Sequence, residues 1–404
     1  MDFEFTPAQQ AFRTRLRAWM ERTVEEVFGD AEDALGPSPE SLLFTRDDGR
    51  WAQALEYHRR LLAAGYLALH WPTEWGGGGA GPVEQLIYQD EALRLGLPLF
   101  GANNFAIDRI GPTLMRFGSD EQKRRFLTPM LTGEEIWCQG YSEPNAGSDL
   151  AAIQTRAVLD GDEFVINGQK TWTSLAHRAR WQAMLARTDP TAARHKGVTY
   201  LLVDLASPGV TIRPLRQMTG ESGFNEIFYD NVRAPRANAV GAVNDGWRVA
   251  MAMMGYQRAS AGSRHPVERG IAELAELARR VEFGGMLAAR HPYVRQTLAQ
   301  FAIEARCLRL GRYRSLTGYL KGRPPGPEGS FAKLSSSELN LRVAMFAAEM
   351  LGGLATLTEG SPGALERGRW AHRILEAREF TIAGGTSEIQ RNIIGERVLM
   401  LPKS

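Results

Sequence analysis

The sequence predicts an α+β chain of several domains: an N-terminal α-helical domain over residues 1–135, a central β-barrel-like domain over 136–240, and a C-terminal four-helix-bundle domain over 241–404. Three observations carry that expectation. Apolar residues recur at helical spacing through the first third. Short β-rich runs separated by Gly, Pro and Asp fill the middle. Long helical patterns return after Gly241. A length of 404 residues suits two or three domains at roughly 150 residues each.

The elements follow in order. Thr6-Pro7-Ala8-Gln9 is a capping box with Pro at the first helical position, and Phe12, Leu16 and Trp19 continue at helical spacing. A second helix is expected over 51–64, stopped by Gly65. The stretch from Trp71 to Pro82 is too rich in Gly and Pro for a regular element and reads as a loop. Helices are expected over 83–95 and 102–117, and Ser119 with Gln122 caps another. Asp160-Gly161 marks a turn before a β-rich run, Phe164 to Trp172, with further strands beginning at Trp181, Val198, Val210 and Phe224. The C-terminal third reads as helices over 244–281, 292–320, 328–357, 364–380 and 387–399, with Gly322 to Ser330 the clearest break.

Composition narrows the function classes. Apolar residues are 44% and charged residues 23%, which describes a packed globular protein rather than a disordered one. Net charge is +2, so nothing favours a polyanion, and no nucleic-acid partner is expected. Cys138 and Cys307 are the only cysteines, which fits a reducing cytoplasm and gives no disulfide framework. The first residues are acidic and lack the apolar core of a cleaved leader, and no run is long enough for a membrane span. The seven histidines show no ligand spacing, so no metal is expected.

Four segments carry chemistry. Cys138 to Ala151, CQGYSEPNAGSDLA, is dense in hydroxyls and free backbone N–H groups; it suits a polar heterocycle or anion, or is a plain connecting loop. Asn167 to Trp181 sets Trp172 among Thr171, Thr173 and Ser174, an aromatic face that either lines a planar cofactor or belongs to the β-domain core. Phe380 to Pro402 has Gly384-Gly385 leading into a helix start, with Ser387 and Gln390 read as a capping box; this is an anion site, or two helices meeting at a glycine. Arg279-Arg280 ends a helix before Gly284-Gly285, holding a phosphate or simply completing a solvated terminus. Cys138, between Trp137 and Gln139 on an apolar strand, reads as buried rather than nucleophilic.

Taken together, YSEPNAGSD, NGQKTW, the R-x-x-F-G pattern at Arg280 to Gly284 and GGTSEIQRNIIGERVL resemble the acyl-CoA dehydrogenase family of flavoproteins over essentially the whole chain. The closing motif looks like bacterial members acting on acyl-CoA or steroid-side-chain-CoA substrates. The resemblance implies FAD as cofactor, with Tyr141, Ser142, Gly147 and Ser148 in its first loop and Trp172, Thr173 and Ser174 beside the flavin ring. Thr386 and Glu388 match contacts at the last helix start, and Arg280, with Phe283 in the same motif, matches the arginine that reaches a neighbouring subunit's FAD. In EMLGGLAT, Glu349 stands where the family usually has Gln, with Gly352 following, and that side chain normally helps hold a neighbour's FAD. The resemblance further implies an acyl-CoA substrate, a role in fatty acid and lipid metabolism, an electron-transfer flavoprotein as acceptor, and a homo- or hetero-oligomer, nominally a homotetramer.

The implied reaction is α,β-dehydrogenation of an acyl-CoA thioester, with a carboxylate taking the α-proton. The family places that base either directly before the Gly-Thr of the last motif, here Gly384, or directly before an arginine on the long helix, here Gln257 before Arg258. Neither is a carboxylate, and an amide does not accept a proton near neutral pH. Gly384 keeps the backbone N–H that the family aims at the thioester oxygen. Three readings stay open: a carboxylate from elsewhere, among Asp108, Glu221, Glu226 and Asp245; other flavin chemistry, desulfinase-like or oxygenase-like; or a non-catalytic subunit beside a catalytic homologue.

Overall fold

The computed structural model of the protein describes residues 4–29, 42–261, 267–322, 326–327 and 329–402, for 256–261 the backbone alone. The chain packs as two compact units. One comprises Ala18–Gly81 and Pro98–Gln257; the other comprises Met1–Arg17, Pro82–Leu97 and Arg258–Ser404.

Helix α1 (Pro7–Phe28) starts as expected: Thr6 Oγ1 accepts from the Gln9 N–H and Gln9 Oε1 from the Thr6 N–H. Helix α2 (Asp48–Ala63) is capped by Asp47, and Gly65 follows at φ +74°. Helix α3 is Pro82–Leu95. The Gly-rich stretch from Trp71 is mostly irregular but holds one 3-10 turn, Thr73–Trp75, and Trp71 itself is fully buried with its indole N–H on the Ile107 carbonyl. The helix expected over 102–117 is broken: a π-turn, Ala106–Ile110, precedes α4 (Gly111–Phe117). Thr113 donates its hydroxyl back to the Arg109 carbonyl there. Helix α5 (Asp120–Thr132) begins at the Ser119–Gln122 capping box.

The first unit also holds the sheet. Its strands are β1 (Trp137–Gly140), β2 (Arg156–Asp160), β3 (Glu163–Ser174), β4 (Trp181–Arg187), β5 (Val198–Asp204), β6 (Val210–Leu215), β7 (Phe224–Pro235) and β8 (Ala239–Val240). Their order is β6-β7-β3-β2-β4-β5-β8, with β1 parallel to β4. Strand β2 is exposed except at Ala157 and pairs with β3 across the Asp160-Gly161 turn. Phe164, Ile166, Met184, Leu201, Val203, Ile227 and Val232 form the sheet's apolar core, and Cys138 is buried with them. Helix α6 (Gly246–Ala261) follows.

Of the stretch 244–281 expected to be helical, the described residues are helical over Gly246–Ala261 and Val267–Ala278, and 262–266 lie outside the described residues. Helix α7 is Val267–Ala278, followed by a small hairpin, β9 (Glu282–Phe283) with β10 (Met286–Leu287), where the glycines at 284 and 285 take φ +60° and +79°. The second unit continues with α8 (Pro292–Leu320), α9 (Gly329–Leu351), α10 (Arg369–Phe380) and α11 (Ser387–Ile393), the last running into a π-turn, Ile394–Val398. Leu274, Leu277, Phe301, Leu339, Val343, Phe346 and Trp370 bury a shared apolar face among α7 to α10. Among the described residues no helix is long and apolar enough to cross a membrane.

Candidate functional site

The first unit gathers one group of expected site residues. After β1 the chain makes a tight turn in which Glu143 and Ala146 exchange both backbone hydrogen bonds. Gly147 and Ser148 lie exposed beyond it, and a Cβ built on Gly147 meets no atom. Two ties bind this loop to β3. The Ser142 carbonyl accepts from the Thr171 N–H at 2.9 Å, and the fully buried Lys170 ammonium donates to the Tyr141 carbonyl at 3.0 Å and to Glu143 at 2.7 Å. Glu143 also accepts the N–H groups of Gln154 and Thr155. Burial alone would raise its carboxyl, but the Lys170 charge and these donors hold it below the usual range. Burial in turn brings Lys170 down to about 8, against the pull of Glu143. The Tyr141 hydroxyl is directed into α6, onto the Met253 sulfur at 3.2 Å.

Trp172 is not a core residue. Between Lys170 and Thr173 the register of β3 against β7 shifts, and Trp172 takes φ +56° with 60% of its surface exposed, its ring edge-on to Phe224. A bulky side chain in left-handed backbone costs about 1–3 kcal/mol and marks a site held by its surroundings. Thr173 is the converse: it is fully buried, and its hydroxyl has no partner. Its carbonyl is held by the buried Asn225 amide at 3.0 Å, and Ser174 pairs with Phe224.

The second unit carries two further groups, at opposite ends of α9. At the far end, Glu349 accepts from the Tyr293 hydroxyl at 3.4 Å, and the Tyr293 ring stacks 6.2 Å from Phe283. Gly352 leaves the helix at φ +53°. Arg280 is ion-paired with Glu366, which stands with Arg367 in left-handed backbone. The guanidinium expected to meet a phosphate thus faces a carboxylate of its own chain.

At the near end, Gly384 and Gly385 turn at φ +69° and +99°. Thr386, not Ser387, caps α11: its hydroxyl accepts from the Ile389 N–H at 3.2 Å. Gln390 does not close a capping box with Ser387; it donates instead to the carbonyls of Gly384 and Gly385. The Ser387 hydroxyl is buried without a partner. Glu388 is exposed, and its carboxyl sits below the usual range through the backbone N–H at its own position and the Thr386 hydroxyl. Sixteen residues separate Lys333 beneath this turn from Glu349, about 24 Å of helix at 1.5 Å per residue.

Gln257 and Arg258 fall on α6, and their side chains lie outside the described residues. The four other carboxylates are engaged: Asp108 with Arg109 (3.1 Å), Asp245 with Arg248 (2.7 Å), Glu226 with the Gln169 amide (2.9 Å) and Glu221 with the Thr219 hydroxyl (3.2 Å). Sequence reasoning gave no role to Glu143, Lys170, Tyr293 or Lys333. The first two sit inside the quoted motifs, which was the available signal.

The residues fit a flavin dinucleotide: an exposed indole, a buried hydroxyl without an acceptor, and a glycine with open space at its Cβ. Comparison with known proteins agrees. The acyl-CoA dehydrogenase N-terminal, middle and C-terminal domain families match residues 6–134, 138–232 and 244–399. The chain is 39% identical to the acyl-CoA dehydrogenase IpdE1 of Mycobacterium tuberculosis, over 98% of both chains. It is 33% identical to FadE26 of the same organism over the full length of each. Among solved structures it resembles the ChsE4-ChsE5 complex from Mycobacterium tuberculosis (TM-score 0.84, 34% identity, all of both chains). It also resembles the Tcur3481-Tcur3483 steroid ACAD (0.83, 30%, all of both chains). Matched from end to end in the family's own domain order, the chain belongs to the acyl-CoA dehydrogenases, FAD flavoproteins that oxidise CH–CH groups.

Proposed function

We propose that this chain binds FAD and carries out slow α,β-dehydrogenation of a steroid-type acyl-CoA thioester, its electrons leaving to an electron-transfer flavoprotein. The observation that carries the reading is Trp172 with Thr173: one strained and exposed, the other buried with an unpaired hydroxyl. The unpaired hydroxyl costs stability in an empty protein and a planar cofactor with hydrogen-bond acceptors satisfies it, while the exposed indole offers that cofactor an aromatic face. The substrate class rests on similarity to a steroid ACAD and to mycobacterial acyl-CoA dehydrogenases. The domain division 1–135, 136–240 and 241–404 belongs to the same proposal.

In this reading Tyr141, Ser142, Gly147 and Ser148 of the first unit contact the cofactor and Trp172, Thr173 and Ser174 its ring; Thr386 and Glu388 are proposed by the family resemblance as contacts in the second unit. FAD, when bound, supplies the acceptor for the β-hydride and its electron pair. Two C–H bonds of the substrate break and one C=C bond forms. The α-proton has no carboxylate at Gln257 or Gly384 and passes to water, and a missing general base slows a reaction by about 10²–10⁴-fold. Purified protein should be yellow, and anaerobic mixing with saturated acyl-CoAs should bleach it slowly. Gln257→Glu should raise the bleaching rate at least about 10-fold. Colourless protein that takes up no FAD overturns the proposal.

A second reading is favoured by Glu349. A carboxylate in place of the usual Gln opposes a neighbour's pyrophosphate, and one of the similar solved structures is the ChsE4-ChsE5 complex. There the chain pairs with a homologue that carries the base. Bleaching by the pair, with none by this chain even as Gln257→Glu, would select it.

A further inference from the structure

We propose that Lys333 is a positioning residue for the thioester oxygen: its buried ammonium clamps the turn that carries the Gly384 N–H. The inference rests on the first reading above. Lys333 projects from the start of α9 and is 3% exposed. Its Nζ donates to the Phe380 carbonyl at 3.0 Å, where α10 ends, and to the Gly385 carbonyl at 2.7 Å. These two acceptors bracket Thr381 to Gly384, so one side chain ties both ends of the turn to a third helix.

The geometry of the peptide unit then fixes where the turn's donors point. In a trans peptide the C=O and the following N–H are antiparallel, and the described residues contain no cis bond. With the Gly385 carbonyl on Lys333, the Thr386 N–H faces away from α9. With the Gly384 carbonyl on the Gln390 amide at 3.1 Å, the Gly385 N–H faces away from the Gln390 side chain of α11. A turn built on two consecutive left-handed glycines has little conformational preference of its own. Its aim is therefore imposed from below, by Lys333 and Gln390. Charge-assisted bonds suit the task, being about twice as strong as neutral ones. An ammonium buried against carbonyls alone is an expensive way to hold a mere loop. Burial pulls Lys333 down to about 8, although Glu338 on its own helix and Glu388 on α11 both favour the charge.

The test compares Lys333→Met, which keeps length and apolar volume, with Lys333→Arg, which keeps the charge. Thermal melting and FAD content establish that each folds. Amide exchange over residues 380–393 should quicken at least about 10-fold in Lys333→Met and return towards wild type in Lys333→Arg. With a saturated acyl-CoA that bleaches the wild type, Lys333→Met should lose about 10–100-fold in kcat while KM moves less than threefold. Wild-type kcat should fall as pH rises through about 8, and Lys333→Arg should abolish that fall. Unchanged exchange in a folded Lys333→Met overturns the clamp. Quickened exchange with kcat unchanged overturns the positioning role. Should no acyl-CoA bleach the wild type, the dehydrogenase reading fails by itself, and the exchange measurement still decides the clamp.

Discussion

At the scale of single residues, the buried pair Lys170–Glu143 explains why the loop after β1 stands where it does. A lone buried charge is costly, so removing one partner of such a pair typically destabilises by about 3–5 kcal/mol. Lys170→Met should show a loss of that order in chemical denaturation at pH 7, and adding Glu143→Gln should recover a large part of it. The pH dependence has a definite sign. The Glu143 carboxyl is held below its ordinary value, so its contribution is full above roughly pH 4.5 and drains away as pH falls through the folded value. In Lys170→Met the stranded carboxylate becomes neutral on acidification. The gap between wild type and variant should therefore be widest at neutral pH and narrow progressively on acidification, starting above the ordinary carboxylate range because burial without Lys170 raises the stranded carboxyl. A gap independent of pH would mean that lost packing, not stranded charge, sets the cost. This pair was illegible in the sequence because its members lie 27 positions apart and only the sheet brings them together. The motif residues proposed to meet the flavin were legible as types and order; the strain at Trp172 and the unpaired hydroxyl of Thr173 were not, since both depend on a bulge created by pairing with β7.

At the scale of elements, local chemistry was legible wherever it was sufficient. Helix α8 runs Pro292–Leu320 because Pro at its first turn and Gly322 beyond its end punctuate it. The boundaries inside 102–117 and 387–399 escaped because π-turns keep the helical apolar period while shifting the phase. Hairpin β9–β10 is too short for any period to register. Glycines separate the structural from the functional at this scale. A Cβ on Gly385 would meet the Gln390 amide at 2.7 Å, and φ there is +99°. Gly385→Ala should thus destabilise by about 1–3 kcal/mol and quicken exchange in the turn. A Cβ on Gly147 meets nothing, and its backbone is not left-handed. Gly147→Ala should leave the melting of cofactor-free protein within about 0.5 kcal/mol of wild type while weakening FAD binding. Equal FAD affinity in Gly147→Ala would remove that loop from the cofactor's contact.

At the scale of the whole molecule, α9 sets a constraint that no single residue shows. The group around Glu349, Phe283 and Gly352 lies about 24 Å from the Gly384–Glu388 turn along one rigid helix. One chain therefore does not bring both groups to the same few atoms of a cofactor, and in the oligomeric reading proposed above a second chain would supply one of them. In a homo-oligomer each pyrophosphate would then meet Glu349 of a neighbour. Like charges about 4 Å apart cost from about 1 kcal/mol in water to about 4 kcal/mol near a protein surface. Glu349→Gln should therefore tighten FAD binding by the chain alone about 5–30-fold, using the lower, solvent-screened part of that range. The same substitution should raise the FAD-dependent gain in melting temperature, because a ligand stabilises in proportion to the logarithm of its excess over Kd. Co-assembly with a homologous chain that presents glutamine at this place should tighten FAD in the unsubstituted protein and leave Glu349→Gln little to add. If Glu349→Gln changes FAD affinity neither alone nor in such a pair, Glu349 serves only its Tyr293 contact, and the neighbour's cofactor lies elsewhere.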